Sequence, residues 1–156
     1  MFVFKRYSEI ENKDGTIKNM IFSILSPIMS VYYLNFNSWF CNLFNNVGYE
    51  LQPGREILYC EYNENIIGIL ILKNLDEKKI CSVYVIPEHR GYLVGSYLFE
   101  EAFKILDCDN PLITVSEEKY NEFRRIFASY DFKLVQVIKD YYIEGNLEFV
   151  FNGKLE

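Results

Sequence analysis

Residues 83–98 read V-Y-V-I-P-E-H-R-G-Y-L-V-G-S-Y-L, and they constrain the fold more than any other stretch. The β-branched and aromatic residues up to Val85 predict the end of a buried strand. Pro87 has no N–H to offer a ladder, so strand pairing stops there. Beyond Gly95, the residues Leu98, Phe99, Ala102, Phe103, Ile105 and Leu106 recur around Glu100, Glu101 and Lys104, which predicts a helix with one broad apolar face. The unit is therefore strand, short loop, helix, with Arg90, Gly91 and Gly95 in the loop. A helix N-terminus presents unpaired N–H groups and a partial positive charge, which suits phosphate. Glycine lets a bulky anion approach the backbone, and Arg90 can add a charge-assisted contact. Taken alone, a G-x-x-x-G favours the plainer reading of an ordinary turn; the order of the surrounding residues is what separates the two.

At 156 residues, 50% of them hydrophobic and 24% charged, the chain is long enough for one globular domain with a full core. The formal net charge is -6 and no block of Lys or Arg occurs. Nucleic acid is thus an unlikely partner, because phosphate neutralisation needs clustered cations. The acidic balance fits a cationic or neutral acceptor better, as a long-range attraction rather than a site. Cys41, Cys60, Cys81 and Cys108 lack C-x-x-C spacing and His89 is the only histidine, so no metal site and no Cys–His nucleophile is expected. Glu9, Glu11 and Asp14 interrupt any signal-peptide core after Lys5 and Arg6. No membrane span is read either. Four reduced thiols in a cytoplasmic protein are the simplest expectation.

In chain order, residues 2–7 predict a first strand. Thr16 is read as the cap of a helix carrying Ile17, Met20, Ile21, Ile24 and Leu25 on one face, stopped by Ser26-Pro27, which also opens a second helix. Residues 28–44 are crowded with aromatics, among them Tyr32, Tyr33, Phe36, Trp39, Phe40 and Phe44. Residues 48–54 read as a loop. Three strands follow at 56–62, 66–73 and 79–86, joined by polar hairpin-like turns. The 66–72 run is apolar throughout around Gly68, as in a strand covered on both faces. After the loop and helix comes a strand at 112–115. Ser116 then caps a helix whose first turn holds Glu117 and Glu118 and whose stripe is Tyr120, Phe123, Phe127 and Tyr130. Strands at 132–142 and 147–151 close the chain, separated by a turn at 144–146. The order is β, α, α, β, β, β, α, β, α, β, β.

The run V-Y-V-x-P-E-x-R-G-x-x-x-G-x-x-L resembles the acetyl-CoA-binding segment of the GNAT superfamily of N-acetyltransferases, which carries [QR]-x-x-G-x-[GA]. Arg90 matches the first position and Gly95 the last, while Leu93 stands where the family usually has its middle glycine. A weaker echo is F-A-S-Y-D-F at 127–132, similar to the family's Y-x-x-x-G-F helix ending. The resemblance implies an α/β (α+β) fold with a mixed, mostly antiparallel central sheet and helices on both faces, as a single domain over residues 1–156. It also implies acetyl-CoA as cofactor, its diphosphate held by Arg90, Gly91, Tyr92, Leu93, Val94, Gly95 and Ser96, and its pantetheine arm beside Val85. The activity implied is acetyl transfer to a primary amine of a small molecule or protein, with a homodimer left open.

Such a transfer needs a neutral amine, a polarised thioester carbonyl and a proton for the departing thiolate. The resemblance places the carbonyl donor at the backbone N–H of Val85 or its neighbour. The family's proton-donating tyrosine aligns with Phe127, which has no proton to give. Tyr84, pointing to the other side of its strand from Val85, and Tyr120, two helical turns before Phe127, are the candidates for catalytic roles. Each is equally a packed or rim tyrosine. Glu61 is a candidate base, with a solvated strand-face charge as its plainer reading. Two further functions stay open: a CoA-binding regulatory or interaction domain that has lost catalysis, for which Leu93 and Phe127 speak, and a toxin-like acetyltransferase of aminoacyl-tRNA, against which the acidic balance speaks.

Overall fold

Strand β3 (Asn65–Asn74) is the strand from which both cores are built, because every residue from 66 to 72 is buried. Ile67, Leu70 and Leu72 join one hydrophobic cluster, and Ile66, Ile69 and Ile71 join another on the opposite face. A strand apolar on both sides has to be sandwiched, and here helices cover each face. The computed structural model describes residues 1–46, 49–91 and 93–155. Around β3 lie β1 (Phe2–Arg6), β2 (Arg55–Tyr62), β4 (Lys78–Val85), β5 (Leu112–Ser116), β6 (Leu134–Lys139) and β7 (Leu147–Phe151), in the order β1-β2-β3-β4-β5-β7-β6. Every pairing is antiparallel except β4 with β5.

Helices α1 (Thr16–Tyr32) and α2 (Phe36–Cys41) pack on one face through Ile21, Leu25, Phe36 and Phe40. Helices α3 (Val94–Leu106) and α4 (Glu117–Ser129) cover the other through Leu98, Phe99, Ala102 and Phe127. Ser116 caps α4 as its sequence predicts, accepting the Lys119 N–H at 3.3 Å, with Glu117 and Glu118 in the first turn.

Two features of β4 position the site. Ile71 pairs with Ser82 but Leu72 pairs with Ile80, so Cys81 is an extra residue in β4, a bulge. The parallel pairing with β5 is confined to Lys79 with Leu112 and Ile80 with Ile113. Beyond the bulge β4 bends away from β5, and the strands part.

The structure departs from the sequence reading at three places. The first helix does not stop at Ser26-Pro27 but runs on to Tyr32, with Pro27 inside it. The apolar stripe Ile21, Leu25, Met29 continues across the proline, and that packing outweighs the lost backbone bond. The second helix is correspondingly short. Thr16 is the first helical residue rather than the cap: Gly15, at φ 92°, takes the cap position, and Asp14 Oδ1 accepts the Thr16 N–H at 3.0 Å. The strand expected over 132–142 is only β6, because Asp140 turns left-handed (φ 62°) and its carboxylate accepts the Gly145 N–H at 2.5 Å. Of the loop read at 48–54, residue 48 lies outside the described residues.

Gly68 lets α3 lie close on the sheet. A Cβ there would come within 2.9 Å of Val94 Cγ1 and 3.3 Å of Leu98 Cδ1. Gly68→Ala should therefore overpack the contact at a cost of ~1–3 kcal/mol, more than the ~0.5–1 kcal/mol that alanine recovers in chain entropy. A urea titration should show a lower midpoint with an unchanged slope. An unchanged or higher midpoint would show that the helix can yield.

Candidate active site

The open end of the β4–β5 parting faces the N-terminus of α3. The N–H groups of Val94, Gly95 and Ser96 belong to the first helical turn and have no intrahelical partner. The residue before them, Leu93, supplies no side-chain cap, unlike Ser116 at α4. Leu93 stands at φ 65°, in the left-handed region where glycine is at ease, with its side chain 64% exposed. Gly91 is also left-handed, at φ 87°. At Gly95 a Cβ would touch only Ile126 Cδ1 among the described residues, at an ordinary 3.6 Å. Tyr92 lies outside the described residues.

A cavity of about 530 Å³ opens here, between the 83–96 segment and the Phe123, Arg125 and Ile126 side of α4. Arg90 lies along its edge. Its Nε donates to the Val85 carbonyl at 2.9 Å, its Nη1 is 3.5 Å from Glu122, and its guanidinium sits 5.5 Å from the centre of the Tyr84 ring. Tyr130 donates its hydroxyl to the Ser96 carbonyl at 3.3 Å, tying α4 to the first turn of α3.

Two further cavities continue this one through the sheet. A narrow space of about 50 Å³ shares Val83, Tyr84, Glu122 and Phe123 with it. That space shares Tyr33, Cys81, Ser82 and Thr114 with a chamber of about 450 Å³ on the α1/α2 face. The Ser82 hydroxyl, at this junction, is buried and has no hydrogen-bond partner among the described residues. A buried hydroxyl left unpaired is costly unless a ligand completes it.

Behind Tyr33 lies a carboxylate that sequence reasoning missed. Glu148, on β7, is 4% exposed and accepts the Tyr33 hydroxyl at 3.2 Å on Oε2. Burial raises its pKa from the ordinary carboxylate value, and the hydroxyls of Thr114 and Tyr33 and the charge of Lys79 only partly oppose this. Burial, and then the Glu148 charge, raises the Tyr33 hydroxyl; the same causes push Tyr142, whose ring is 4.7 Å from that of Tyr33, up to about 12. The signal was present in L-E-F-V-F: an acid set between residues of a strand with buried positions on both faces.

The residues singled out from the sequence fall in different places. Tyr84 lines both the narrow space and the larger cavity before α3, and it packs on the opposite face of the sheet from Val85. Tyr120 is packed edge-on to Phe149 at 5.3 Å and flat on Phe151 at 5.8 Å, and lines a separate surface cavity with Asn121 and Leu147. Phe127 borders the narrow space but is held in an aromatic cage, 4.7 Å from Phe151 and 5.2 Å from Phe132. Glu61 is ion-paired with Lys5 where β2 meets β1, and lines none of the three cavities. Tyr33, Phe36 and Trp39 of the aromatic segment line the α1/α2-side chamber. Among the described residues no group of three or more His, Cys, Asp or Glu could hold a metal ion, and no helix is long and apolar enough to cross a membrane.

An open helix end beside two parted strands is what the sequence of residues 19–124 also specifies: it matches the Acetyltransferase (GNAT) family. The chain belongs to that family of acetyltransferases. No curated protein matches the sequence. Solved structures similar to it include the ribosomal-protein-S18-alanine N-acetyltransferase from Escherichia coli (13% identity, 100% of this chain and 97% of that one, TM-score 0.66). A GNAT family acetyltransferase from Elizabethkingia anophelis with acetyl-CoA bound is 12% identical over 99% and 98% of the two chains, with a TM-score of 0.65. An aminoglycoside 6'-N-acetyltransferase complexed with coenzyme A is 10% identical over 96% and 94%, with a TM-score of 0.63. At such identities the likeness is one of fold.

Two predictions come from this geometry. Left-handed backbone costs a side-chain-bearing residue ~1–2 kcal/mol, against ~0.5–1 kcal/mol for glycine's extra chain entropy. Leu93→Gly should thus raise stability by up to ~1 kcal/mol, a Tm gain of ~2–4 °C at this chain length. A fall in Tm would show that the exposed leucine makes contacts outweighing the strain.

Glu148 gives a pH-dependent prediction. A carboxyl whose pKa is raised on folding keeps its proton to higher pH than it does in the unfolded chain. Its contribution is complete below the ordinary carboxylate value, about pH 4.3, and is lost as pH rises through the folded value. Glu148→Gln cannot ionise and keeps an acceptor for Tyr33. Its Tm relative to the native chain should climb with pH above about 4.3 and then level off. A difference that stays flat with pH would mean that the carboxylate is not penalised by burial.

Proposed function

We propose that residues 1–156 act as one cytoplasmic domain that transfers an acetyl group from acetyl-CoA to a primary amine. The observation that carries this reading is the series of adjoining cavities, each sharing walls with the next, at the β4–β5 parting. It starts at the open N-terminus of α3 and ends at the Tyr33–Glu148 pair. Acetyl-CoA, when bound, supplies a thioester carbonyl open to attack by the amine.

The residues present fit that molecule. Val94, Gly95 and Ser96 can direct their N–H groups at a diphosphate, and Gly91 and Leu93, both left-handed, stand just before them in the chain. Arg90 adds a cation at the rim, and Val85 offers a strand edge without a β5 partner. The backbone N–H groups of the same unpaired edge are the donors available to polarise a carbonyl. On the α1/α2 face, Tyr33 can pass an amine proton from its Oη toward Glu148 Oε2, so Glu148 acts as a positioning residue behind it. Tyr84, which lines the narrow space and the cavity before the α3 N-terminus, can protonate a leaving thiolate; the Tyr120 ring packs on Phe149 and Phe151, away from these cavities. The homodimer that the sequence leaves open belongs to this reading, supported by exposed Leu134, Val135 and Val137 on the edge strand β6.

Thiol release from acetyl-CoA over a panel of primary amines tests the activity, and calorimetry with CoA tests the site. The native chain should bind CoA and release thiol with at least one amine. Gly95→Asp should abolish binding by placing a carboxylate before the N–H groups, and Arg90→Ala should cost ~1.5–3 kcal/mol, the worth of a charged hydrogen bond. Full CoA affinity in both variants would remove the proposed cradle. Tight binding without turnover on any amine would leave a CoA-binding domain that has lost catalysis.

A further inference from the structure

The chamber on the α1/α2 face carries a charge arrangement that the fold itself does not require. Arg55 pairs with Lys73 across β2 and β3, and Lys73 pairs with Lys79 across β3 and β4. Residues directly opposite one another project to the same face, about 4.8 Å apart from strand to strand. Three partly buried cations therefore stand in one row, and all three line the chamber. Like charges in such a register are unfavourable. Among the described residues only Lys73 has a carboxylate partner, Glu77 at 2.5 Å. Arg55 instead donates Nη1 to the Cys81 sulfur at 3.3 Å and lies 5.9 Å from the Trp39 ring centre. Lys79 has no carboxylate within ion-pair distance among the described residues.

We infer that this chamber takes an amine acceptor that also bears an anionic group, a carboxylate or a phosphate, held by Arg55 and Lys79. The inference rests on the acetyltransferase reading for the direction in which the acceptor lies. Its amine faces the junction of Tyr33 and Ser82, where the narrow space opens, and its anion faces the cationic row. Arg55 suits this task because its guanidinium presents a planar fork to two oxygens. The aromatic walls, Trp39, Tyr33 and Tyr142, lower the local dielectric and strengthen the pairing. The chain's acidic net charge does not oppose this, since the sign of a site is set by the residues within it.

Trp39 is the chain's single tryptophan and lines the chamber, so its fluorescence reports binding without any turnover. The titration compares γ-aminobutyrate with butylamine for a carboxylate, and O-phosphoethanolamine with ethanolamine for a phosphate. At least one anionic amine should bind about 10-fold or more tightly than its uncharged match, as one charge-assisted hydrogen bond provides. Which pair shows the gap tells carboxylate from phosphate. Arg55→Gln and Lys79→Gln should each shrink that gap while leaving CoA affinity unchanged. Equal binding within both pairs, no binding of either anionic amine, or a gap that survives both substitutions would overturn the inference. Absence of thiol release with every amine would count against the acetyltransferase reading alone, because the fluorescence result does not depend on it.

Discussion

The extra residue at Cys81 is the constraint on which the site depends. A parallel strand pair that continued to Val85 would seal the sheet, and neither face could reach the other. One unpaired residue in β4 bends the strand, limits the contact with β5 to two residue pairs, and exposes a length of strand edge in the interior. Edges of that kind are normally covered. Here the edge borders the cavities that run through the sheet, so a defect in pairing becomes the feature through which two reactants can meet.

The two faces divide the work by their electrostatics. On the α3/α4 face the donors are backbone groups, fixed by an uncapped helix end and a loop that includes left-handed residues. Such donors are already oriented and lose little on meeting an anion. On the α1/α2 face the polar groups are side chains held in an aromatic surround: Tyr33 on Glu148, Ser82 unpaired, and the row of Arg55, Lys73 and Lys79. Burial shifts Glu148 toward its neutral form, which makes it a better proton acceptor when it does ionise. Gly68 belongs to the first of these faces, where the contact it permits sets how close the N-terminus of α3 stands to β3.

One strained residue stands at the helix end. Leu93 holds a backbone conformation that suits glycine, at the residue before the open helix end. Asp131, at φ 59°, does the same at the end of α4, in the F-A-S-Y-D-F segment where the similar family pattern has glycine. Aspartate tolerates this conformation better than leucine does, since its short polar side chain can bond locally.

By itself the sequence determined the succession of elements, the burial of β3 on both faces, the capping of α4 by Ser116 and the strand–loop–helix unit around Arg90 and Gly95. Each of these rests on local periodicity, on a single capping side chain or on the backbone needs of Pro and Gly, which neighbouring residues reveal. It did not determine that α1 would continue through Pro27, because the packing that holds the helix together comes from the sheet. The bulge at Cys81, the Tyr33–Glu148 pair, 115 residues apart, and the opposed row of cations on three strands were decided only by the tertiary structure. The bulge and the cation row depend on which residue of one strand stands opposite which residue of the next, and the Tyr33–Glu148 pair on where the end of α1 lies over β7. Register is a property of the assembled sheet, and a one-residue slip would send the strand side chains among them to the other face.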